Sequence, residues 1–529
     1  MAMFGKVHNL AVKLGKSAYH HAQELKSLEW LLLIDPVEHV ILGTRRSDVL
    51  ATKAEGDIVF GLGAGDWLSS SYNRTALVGG SGDDKLKTTV VVPMQGDDPV
   101  KGLAIQMGGS GRDKLEAKVT LQGGVTTFAE RQLSAEIRQD GGRGDDVINA
   151  VANVAQAVLA DVRATIHIRG GSGDDKIDAF ADARGALDDN VAENFVAGGS
   201  GDDYIKARAE TELVGFLATA RNVVCGGSGD DVLDATAIGR SNVTTLVSNL
   251  LHGGHGNDFL RAYNFTNSNS KAPVGVNELW GDQGNDRLEV KQVDTGNTFT
   301  DVTSRLYGGT GNDRLKAETT AGSQHVKALN HLDGGDGRDV LEASLDVRFG
   351  SYEVANILNG GSGNDRLEAT ISAVPAPYSP GTSTVENRLD GGWGDDVLIA
   401  TVTVGSLGSS FLKGGFGDDK LTVVGGTGNV LDGGAGRDCL IGGTGDDHMI
   451  GRAGADRFVF APQNGHDKVE FDKGWDKIDL KAFAAVGIHG FADLDIDVGG
   501  GDSIVRFDAA NDITVEGVTD LSADDFLFA

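Results

Sequence analysis

The sequence predicts an all-β protein, a parallel β-solenoid with coils of about 28 residues, on three observations. Glycine occupies 78 of the 529 positions and proline only 8, whereas the usual glycine share is about 7%. A glycine-rich octet recurs at a nearly constant interval, which is the signature of stacked repeats. After each octet, apolar and polar residues alternate, as in KIDAFA at 176–181. This alternation is typical of a strand with one buried face.

The octet follows the pattern G-G-x-G-[DN]-D-x-[LI] and begins at residues 79, 108, 141, 170, 198, 226, 253, 281, 308, 334, 360, 391, 414, 433, 442 and 451. Its fourth residue is always glycine and its sixth is always aspartate, whereas the second glycine is replaced at Asp282 and Arg452. Weaker copies at 43–50 and 61–68 are candidates for degenerate first repeats. The sixth-position aspartates are Asp84, Asp113, Asp146, Asp175, Asp203, Asp231, Asp258, Asp286, Asp313, Asp339, Asp365, Asp396, Asp419, Asp438, Asp447 and Asp456.

Two further columns of residues recur in phase with the octet. Small side chains, such as Ala150, Ala179 and Ala207, follow most of the octets and predict a thin core between two sheets. Asparagines lie four residues before the first glycine, at Asn194, Asn222, Asn249, Asn277, Asn330, Asn356, Asn387 and Asn429. They predict either an amide ladder between stacked coils or turn residues that bond their own backbone.

The octet has the chemistry of a calcium site. Its glycines permit positive φ, so that carbonyl oxygens can face one side of the turn, and the aspartate adds a carboxylate. Calcium prefers six to eight such hard oxygen ligands, while the near absence of cysteine and histidine from the octet argues against zinc or copper. One turn supplies about half a shell, so each ion is expected to lie between neighbouring coils.

The segment GGTGDDHMI at 442–450 and its neighbours at nine-residue spacing resemble the RTX (repeats-in-toxin) calcium-binding repeat. The resemblance implies a parallel β-roll that binds several Ca²⁺ ions stacked between coils, with the sixteen aspartates as ligands. In such a roll two nonapeptide turns make a coil of 18 residues. The octets at 414, 433 and 451 should therefore share one edge and the octet at 442 should lie on the opposite edge. We expect a solenoid that is wide in its middle and narrows to 18-residue coils.

The sequence divides into an N-terminal helical cap (1–45), a calcium-binding solenoid (46–456) and a C-terminal cap with an export signal (457–529). Phe4, Val7, Leu10 and Leu14 define one apolar face near the start, and binding to a membrane surface is the alternative to capping. The C-terminal region resembles that of serralysin-type proteins exported by type I secretion, without the protease domain. It implies the type I machinery as partner and a secreted protein, extracellular or on the surface of a Gram-negative bacterium, that folds when it meets calcium outside.

Charge and motifs restrict the function. The net charge of −30 disfavours nucleic acid as a partner, and no apolar run is long enough to predict a transmembrane segment. The metalloprotease motif H-E-x-x-H and the nucleophile elbow G-x-S-x-G are both missing from the sequence. The expected function is that of a noncatalytic extracellular matrix, surface or polysaccharide-binding protein.

The alternative is a polysaccharide-degrading hydrolase or lyase built on the solenoid. Turn aromatics such as Trp393 and Phe416 could hold sugar rings in either case. A groove lined with basic side chains would favour the enzyme, and candidates are Arg208, Arg221, Arg261, Lys271, Arg287, Lys291, Arg305 and Arg314. Surface solubility explains these side chains equally well.

Overall fold

The computed structural model describes residues 28–31, 33–94, 99–123, 132–157, 161–185, 189–213, 217–241, 244–268, 273–296, 299–348, 351–374, 383–403 and 408–529. The chain forms two compact units, Met1–Trp280 and Gly281–Ala529. The predicted fold class is confirmed, since each unit is an all-β parallel solenoid with little helix. Lys271 and the apolar face predicted near residues 4–14 lie outside the described residues.

The first unit contains two sheets, and each coil contributes one strand to each sheet. Its first sheet contains β1 (Val40–Leu42), β3 (Ile58–Gly63), β5 (Thr75–Ser81), β7 (Val100–Ser110), β9 (Gln132–Arg143), β11 (Asp161–Ser172), β13 (Asn190–Ser200), β15 (Leu217–Ser228) and β17 (Thr244–His255). Its second sheet contains β2 (Val49–Ala51), β4 (Trp67–Ser70), β6 (Lys85–Pro93), β8 (Lys114–Gln122), β10 (Val147–Ala157), β12 (Lys176–Gly185), β14 (Tyr204–Leu213), β16 (Val232–Ser241) and β18 (Phe259–Ser268). Strand β19 (Val274–Gln283) contains the division between the units.

The coils of the first unit begin narrow and become wide. Equivalent residues of β2, β4 and β6 are 18 residues apart, while later steps reach 29 and 33 residues. The weak copies at 43–50 and 61–68 therefore form complete coils. The expectation that the coils narrow only towards the C-terminal end was incomplete.

The second unit repeats the two-sheet arrangement. Its first sheet contains β21 (Phe299–Thr310), β23 (His325–Asp336), β25 (Ser351–Ser362), β27 (Thr384–Trp393), β29 (Ser409–Phe416), β31 (Asn429–Gly436), β33 (Asp447–Gly454), β35 (His466–Glu470), β37 (Asp495–Gly499), β38 (Asp502–Asp508) and β39 (Asn511–Glu516). Its second sheet contains β20 (Arg287–Asp294), β22 (Arg314–Ala321), β24 (Val340–Arg348), β26 (Arg366–Val374), β28 (Val397–Val402), β30 (Lys420–Val424), β32 (Cys439–Ile441), β34 (Arg457–Val459), β36 (Lys477–Asp479) and β40 (Phe526–Leu527).

Coils of the second unit narrow as predicted. The step between equivalent turn aspartates falls from 31 residues to 23, 19 and 18. The C-terminal segment then adds one more strand to each sheet, because β39 pairs parallel with β35 and β40 with β36. Strands β37 and β38 form an antiparallel extension beside β39. Strand pairing thus continues past the predicted domain boundary at 456.

The core contains the predicted column of small side chains. Ala150, Ala179, Ala207 and Ala235 are buried and lie at equivalent positions of β10, β12, β14 and β16. Such small residues let the two sheets approach closely, and most of the other buried apolar side chains are Leu, Ile and Val.

The buried asparagines form the predicted amide ladder. In the first unit, Asn194 Nδ2 donates to Asn222 Oδ1 and Asn222 Nδ2 to Asn249 Oδ1, both at 2.8 Å. The second amide hydrogen reaches a backbone carbonyl of the opposite sheet, as from Asn194 to Arg208 at 2.8 Å. Asn330 and Asn356 continue the pattern in the second unit. Asn429 differs, because it bonds the carbonyl of Gly425 in its own turn and Asp447 in the next coil.

At the start of the described chain, α1 (Leu28–Leu31) is a single turn of helix. Trp30 and Leu31 are buried against Ile58 and Phe60 of the first coils, so this segment covers part of the core. Three 3₁₀ helices occur near the C-terminus, at Lys481–Val486, Phe491–Asp493 and Ala523–Asp525. None of the helices in the described ranges has the length and hydropathy needed to span a bilayer.

Candidate metal centres

Each octet forms a tight turn between the two sheets; the octet at 442 leads from the second sheet to the first, and the other fifteen lead from the first sheet to the second. In the turn at 170–177, β11 ends at Ser172 and β12 begins at Lys176. The second and fourth glycines have positive φ, 126° at Gly171 and 118° at Gly173, a region that residues with a Cβ rarely adopt. Where the second glycine is replaced, φ stays positive, at 74° for Asp282 and 70° for Arg452. Positive φ is therefore a property of the turns from the first sheet to the second, whereas Gly443 and Gly445 of the octet at 442 do not adopt it.

The sixth-position aspartates stack into a continuous column in each unit. The backbone N–H of each aspartate donates to Oδ1 of the equivalent aspartate in the next coil, as from Asp175 to Asp203 at 2.8 Å. In the first unit this column includes Asp84, Asp113, Asp146, Asp175, Asp203, Asp231 and Asp258. In the second unit it includes Asp286, Asp313, Asp339, Asp365, Asp396, Asp419, Asp438 and Asp456.

The second carboxylate oxygen of these aspartates is the atom left for a metal. Oδ2 of Asp175 and of Asp203 is buried and has no hydrogen-bond partner among the described residues. The same is true of Oδ2 in Asp84, Asp113, Asp146, Asp231, Asp313, Asp339, Asp365, Asp396, Asp419, Asp438 and Asp456. A buried charge needs a compensating partner, and a cation shared between coils would provide one.

The first glycine of the octet, which has no side chain, leaves space next to Oδ2 of the sixth-position aspartate. A Cβ built on Gly360 would lie 2.5 Å from Asp365 Oδ2 and 2.5 Å from the carbonyl oxygen of Gly391 in the next coil. A carboxylate oxygen and a carbonyl oxygen from two successive coils therefore converge at this position. These are hard oxygen donors of the kind that calcium prefers, so the residues present fit the ion that the sequence predicts.

Burial raises the pKa of the turn carboxyls far above the ordinary value. The pKa rises to about 8 at Asp113 and Asp419 and to about 6 at Asp365 and Asp456. It rises to about 7 at Asp84, Asp146, Asp175, Asp203, Asp231, Asp313, Asp339, Asp396 and Asp438. The hydrogen bond from the preceding coil opposes this shift, and neighbouring carboxylates mostly add to it. Without a cation, the column binds protons near neutral pH.

Asp447 lies on the opposite edge of the coil, as the spacing predicts. It begins β33, accepts a hydrogen bond from Asn429 Nδ2 at 2.6 Å and donates its N–H to Asp467 Oδ1 at 2.9 Å. Burial raises its pKa as well. The narrow coils thus have a carboxylate column on both edges.

Four ladder aspartates were not among the predicted ligands, although two of them, Asp48 and Asp66, lie in the weak copies at 43–50 and 61–68. Asp48 and Asp66 extend the column at the start of the first unit, and Asp467 and Asp476 extend the two columns of the second unit. The last two follow a glycine by two residues, as in the octet, but Pro462 and Phe471 replace its first glycine. The G-x-D pair at the right interval was the signal that could have found them.

Four of the predicted basic side chains of the middle coils pair with carboxylates. Arg208 contacts Glu210, Arg261 contacts Asp234 and Arg287 contacts Glu289. Arg314 lies 2.8 Å from Glu342, whereas Arg221 lies over the ring of Phe195. The charges of the four paired arginines are thus balanced on the sheet surface, which is consistent with the solubility interpretation.

Comparison with known proteins agrees with this geometry. The family model of the RTX calcium-binding nonapeptide repeat (4 copies) matches residues 167–183, 304–319, 354–370, 386–401 and 423–458. The chain contains RTX calcium-binding repeats. RTX repeats imply calcium binding, and the stacked aspartates are consistent with it.

Among solved structures, the chain is similar to the extracellular lipase LipA from Serratia marcescens, at 18% identity and a TM-score of 0.16. The match covers 43% of this chain and 40% of the lipase chain, so the chain spans well under half of that structure. In the comparison with curated proteins, none matches this sequence.

Proposed function

We propose that this RTX protein is exported by a type I system and folds on calcium outside the cell, where it acts as a noncatalytic binding protein of the matrix or cell surface. The observation that carries the proposal is the column of buried Oδ2 atoms that have no hydrogen-bond partner among the described residues, such as those of Asp84, Asp175 and Asp203. At cytosolic calcium, stacking of the coils would bury these carboxylates without a cation, and this cost opposes folding. At millimolar external calcium, the free energy of binding becomes free energy of folding.

The first experiment compares two aspartates of one coil. Asp175 is a buried column member, whereas Asp178, three residues later in β12, is exposed. Folding is followed by far-ultraviolet circular dichroism during a calcium titration. Asp175→Asn should raise the calcium midpoint severalfold because it removes a ligand charge, while Asp178→Asn should leave it unchanged. Full β structure in chelator at neutral pH, unchanged by calcium, would refute the proposal.

The ligand that we propose is an extracellular polysaccharide, held at an aromatic patch defined by Trp393 and Phe416. These turn residues of successive coils stack at 4.4 Å between ring centroids, and they are 63% and 54% exposed. The same column continues with Ala435 and Ala453, whose small side chains leave a depression of about 640 Å³ beside Phe416. Exposed aromatic faces offer a platform for the apolar face of a sugar ring.

Charged pairs border the depression. Arg452 lies 2.7 Å from Asp432, and Lys413 lies 3.0 Å from Asp390. They supply hydrogen-bond donors and acceptors for sugar hydroxyls or carboxylates around the aromatic platform. An apolar surface with a few convergent polar groups is the usual composition of a small-molecule site.

Binding is tested by co-sedimentation of calcium-loaded protein with alginate, pectate and the producer's own exopolysaccharide. The double variant Trp393→Ala/Phe416→Ala should lose binding at least tenfold. The control is Trp475→Ala, at a tryptophan that is 70% exposed and lies elsewhere in the unit. Equal binding by the double variant and the wild type would refute the proposal that the aromatic patch binds polysaccharide. Falling viscosity with new reducing ends or unsaturated products would instead establish the polysaccharide-degrading enzyme.

A further inference from the structure

A second type of metal-ligating cluster lies on the outer face of the last coils, apart from the calcium edges. His448, Glu470 and Glu516 come from β33, β35 and β39, which are neighbours in the first sheet. Residues Met449, Val469 and Val515, adjacent in sequence to members of the trio, are fully buried. Because side chains alternate along a strand, His448, Glu470 and Glu516 project together from the outer face.

The donor atoms of the trio are close enough to share an ion. One atom from each residue, a ring nitrogen and two carboxylate oxygens, lies within 4.8 Å of the other two. Two ligands about 2.1 Å from a common zinc ion are at most about 4.2 Å apart. Small rotations of the two glutamate side chains would therefore bring the three donor atoms within bonding distance of one ion.

The histidine supplies a second observation. Its Nε2 is shielded from solvent and has no hydrogen-bond partner among the described residues, although Glu470 Oε1 is 3.5 Å away. A nearby pair on β35 and β39 behaves differently, because His466 Nδ1 lies 3.0 Å from Asp512 Oδ2 in an ordinary hydrogen bond. The His466–Asp512 pair thus has the distance of a hydrogen bond. In the trio, by contrast, the Nε2 atom of His448 is free to bind a metal ion.

We propose that His448, Glu470 and Glu516 form a site for a divalent transition metal of the zinc class, distinct from the calcium ladders. An imidazole nitrogen with carboxylates selects zinc-class ions, whereas calcium requires an all-oxygen shell. Three protein ligands leave a position for water, as in open zinc sites. Lys468 Nζ, 3.8 Å from Glu516 Oε1, is the neighbouring charge that the ion would displace.

The site would fasten the end of the chain to the solenoid. His448 and Glu470 belong to the last narrow coils, whereas Glu516 belongs to the strand that returns after the antiparallel extension. An ion shared by all three would join β39 to two preceding strands at once. The trio therefore stabilises the C-terminal segment independently of the octet turns.

The test uses the full, tag-free chain in excess calcium, titrated with Zn²⁺ by calorimetry and with Co²⁺ by visible absorption. We expect one tight equivalent of either metal. His448→Ala and Glu516→Gln should each weaken binding at least tenfold, and His466→Ala should not. Zn²⁺ should also slow hydrogen exchange in β39 of the wild type but not of Glu516→Gln.

Circular dichroism in calcium shows whether each variant is folded. If the His448→Ala variant does not fold, the Glu516→Gln variant still tests the site. Absence of a tight equivalent in the wild type would overturn the proposal. An equal loss of affinity in His466→Ala, or none in the folded Glu516→Gln variant, would do so too. Each of these results leaves calcium-dependent folding unaffected, so the two proposals fail separately.

Discussion

One column of residues in the second unit differs between its wide and its narrow coils. In the wide coils the column is the amide ladder Asn330, Asn356 and Asn387. The register continues through Ser410 to Asn429, Asp447 and Asp467 in the narrow coils. Asn330 lies inside β23, whereas Asn429 and Asp447 begin their strands. The same register position is core in one region and turn edge in the other.

This difference shows that the length of the strands decides whether amides or carboxylates occupy the column. A buried amide can donate to the coil on one side and accept from the other, so the ladder satisfies itself without a metal. At a turn edge, glycines bring carbonyl oxygens together, and a carboxylate completes a cation site. The wide coils therefore stack through both an amide ladder and one carboxylate column, and the narrow coils through two carboxylate columns.

Removal of calcium should separate the two regions most strongly. With chelator at pH 7.5, strands β33 and β35 should lose nearly all protection from hydrogen exchange, because both edges of their coils lose a cation. Strands β23 and β25 should lose less, because Asn330 and Asn356 still connect them. Hydrogen exchange with peptide-level mass spectrometry checks this. Equal loss in both regions would show that the amide ladder contributes nothing.

Acid should partly replace calcium. Burial raises the pKa of Asp419 to about 8 and of Asp438 to about 7, above an unfolded value near 4. The stability that these groups contribute is thus full below about pH 4 and is lost as the pH rises through 7 to 8. Each such turn contributes at least about 1 kcal/mol. Metal-free protein should melt at a higher temperature at pH 5 than at pH 8, and the calcium-loaded protein should show a much smaller difference.

Replacing one buried asparagine of the amide ladder by aspartate tests whether that position belongs to the core. Asn356→Asp places a carboxylate in a fully buried position and removes the donor to Asn387 Oδ1 and to the Thr370 carbonyl. We expect a loss of about 3 to 5 kcal/mol in calcium at pH 7.5, the cost of an uncompensated buried charge. Asn364→Asp is the control, since Asn364 is exposed in the adjacent turn. A folded variant with unchanged denaturant midpoint would contradict the assignment of this column to the core.

A methyl group placed in one predicted calcium site should have the smallest effect. The Cβ of Gly360→Ala would collide with Asp365 Oδ2 and the Gly391 carbonyl oxygen. We expect destabilisation by about 1 to 3 kcal/mol and the loss of about one bound calcium, measured by chemical denaturation and by calcium analysis of the dialysed protein. Gly490→Ala, at a glycine with free space around its Cβ position, should change neither.

The regular parts of this structure could be predicted from sequence because they depend on local pattern. The interval and the invariant aspartate identified the aspartate column of each unit, and the amide ladder was one of two interpretations of Asn194 and its equivalents. Asp467 and Asp476 were missed because Pro462 and Phe471 hide the repeat, although the turn tolerates these residues. The trio with His448 could not be predicted, since Glu516 returns to the sheet only after an antiparallel extension of irregular spacing.

The most direct test of the account is a crystal structure in millimolar calcium, with the ions located by their anomalous scattering. We predict ions between successive octet turns, bound by Oδ2 of aspartates such as Asp175 and Asp365 and by glycine carbonyls of the neighbouring coil. In the narrow coils, a second row should follow Asp447 on the opposite edge. Turns that remain without ions, with these carboxylates protonated or bonded to protein groups, would contradict the claim that calcium joins the coils.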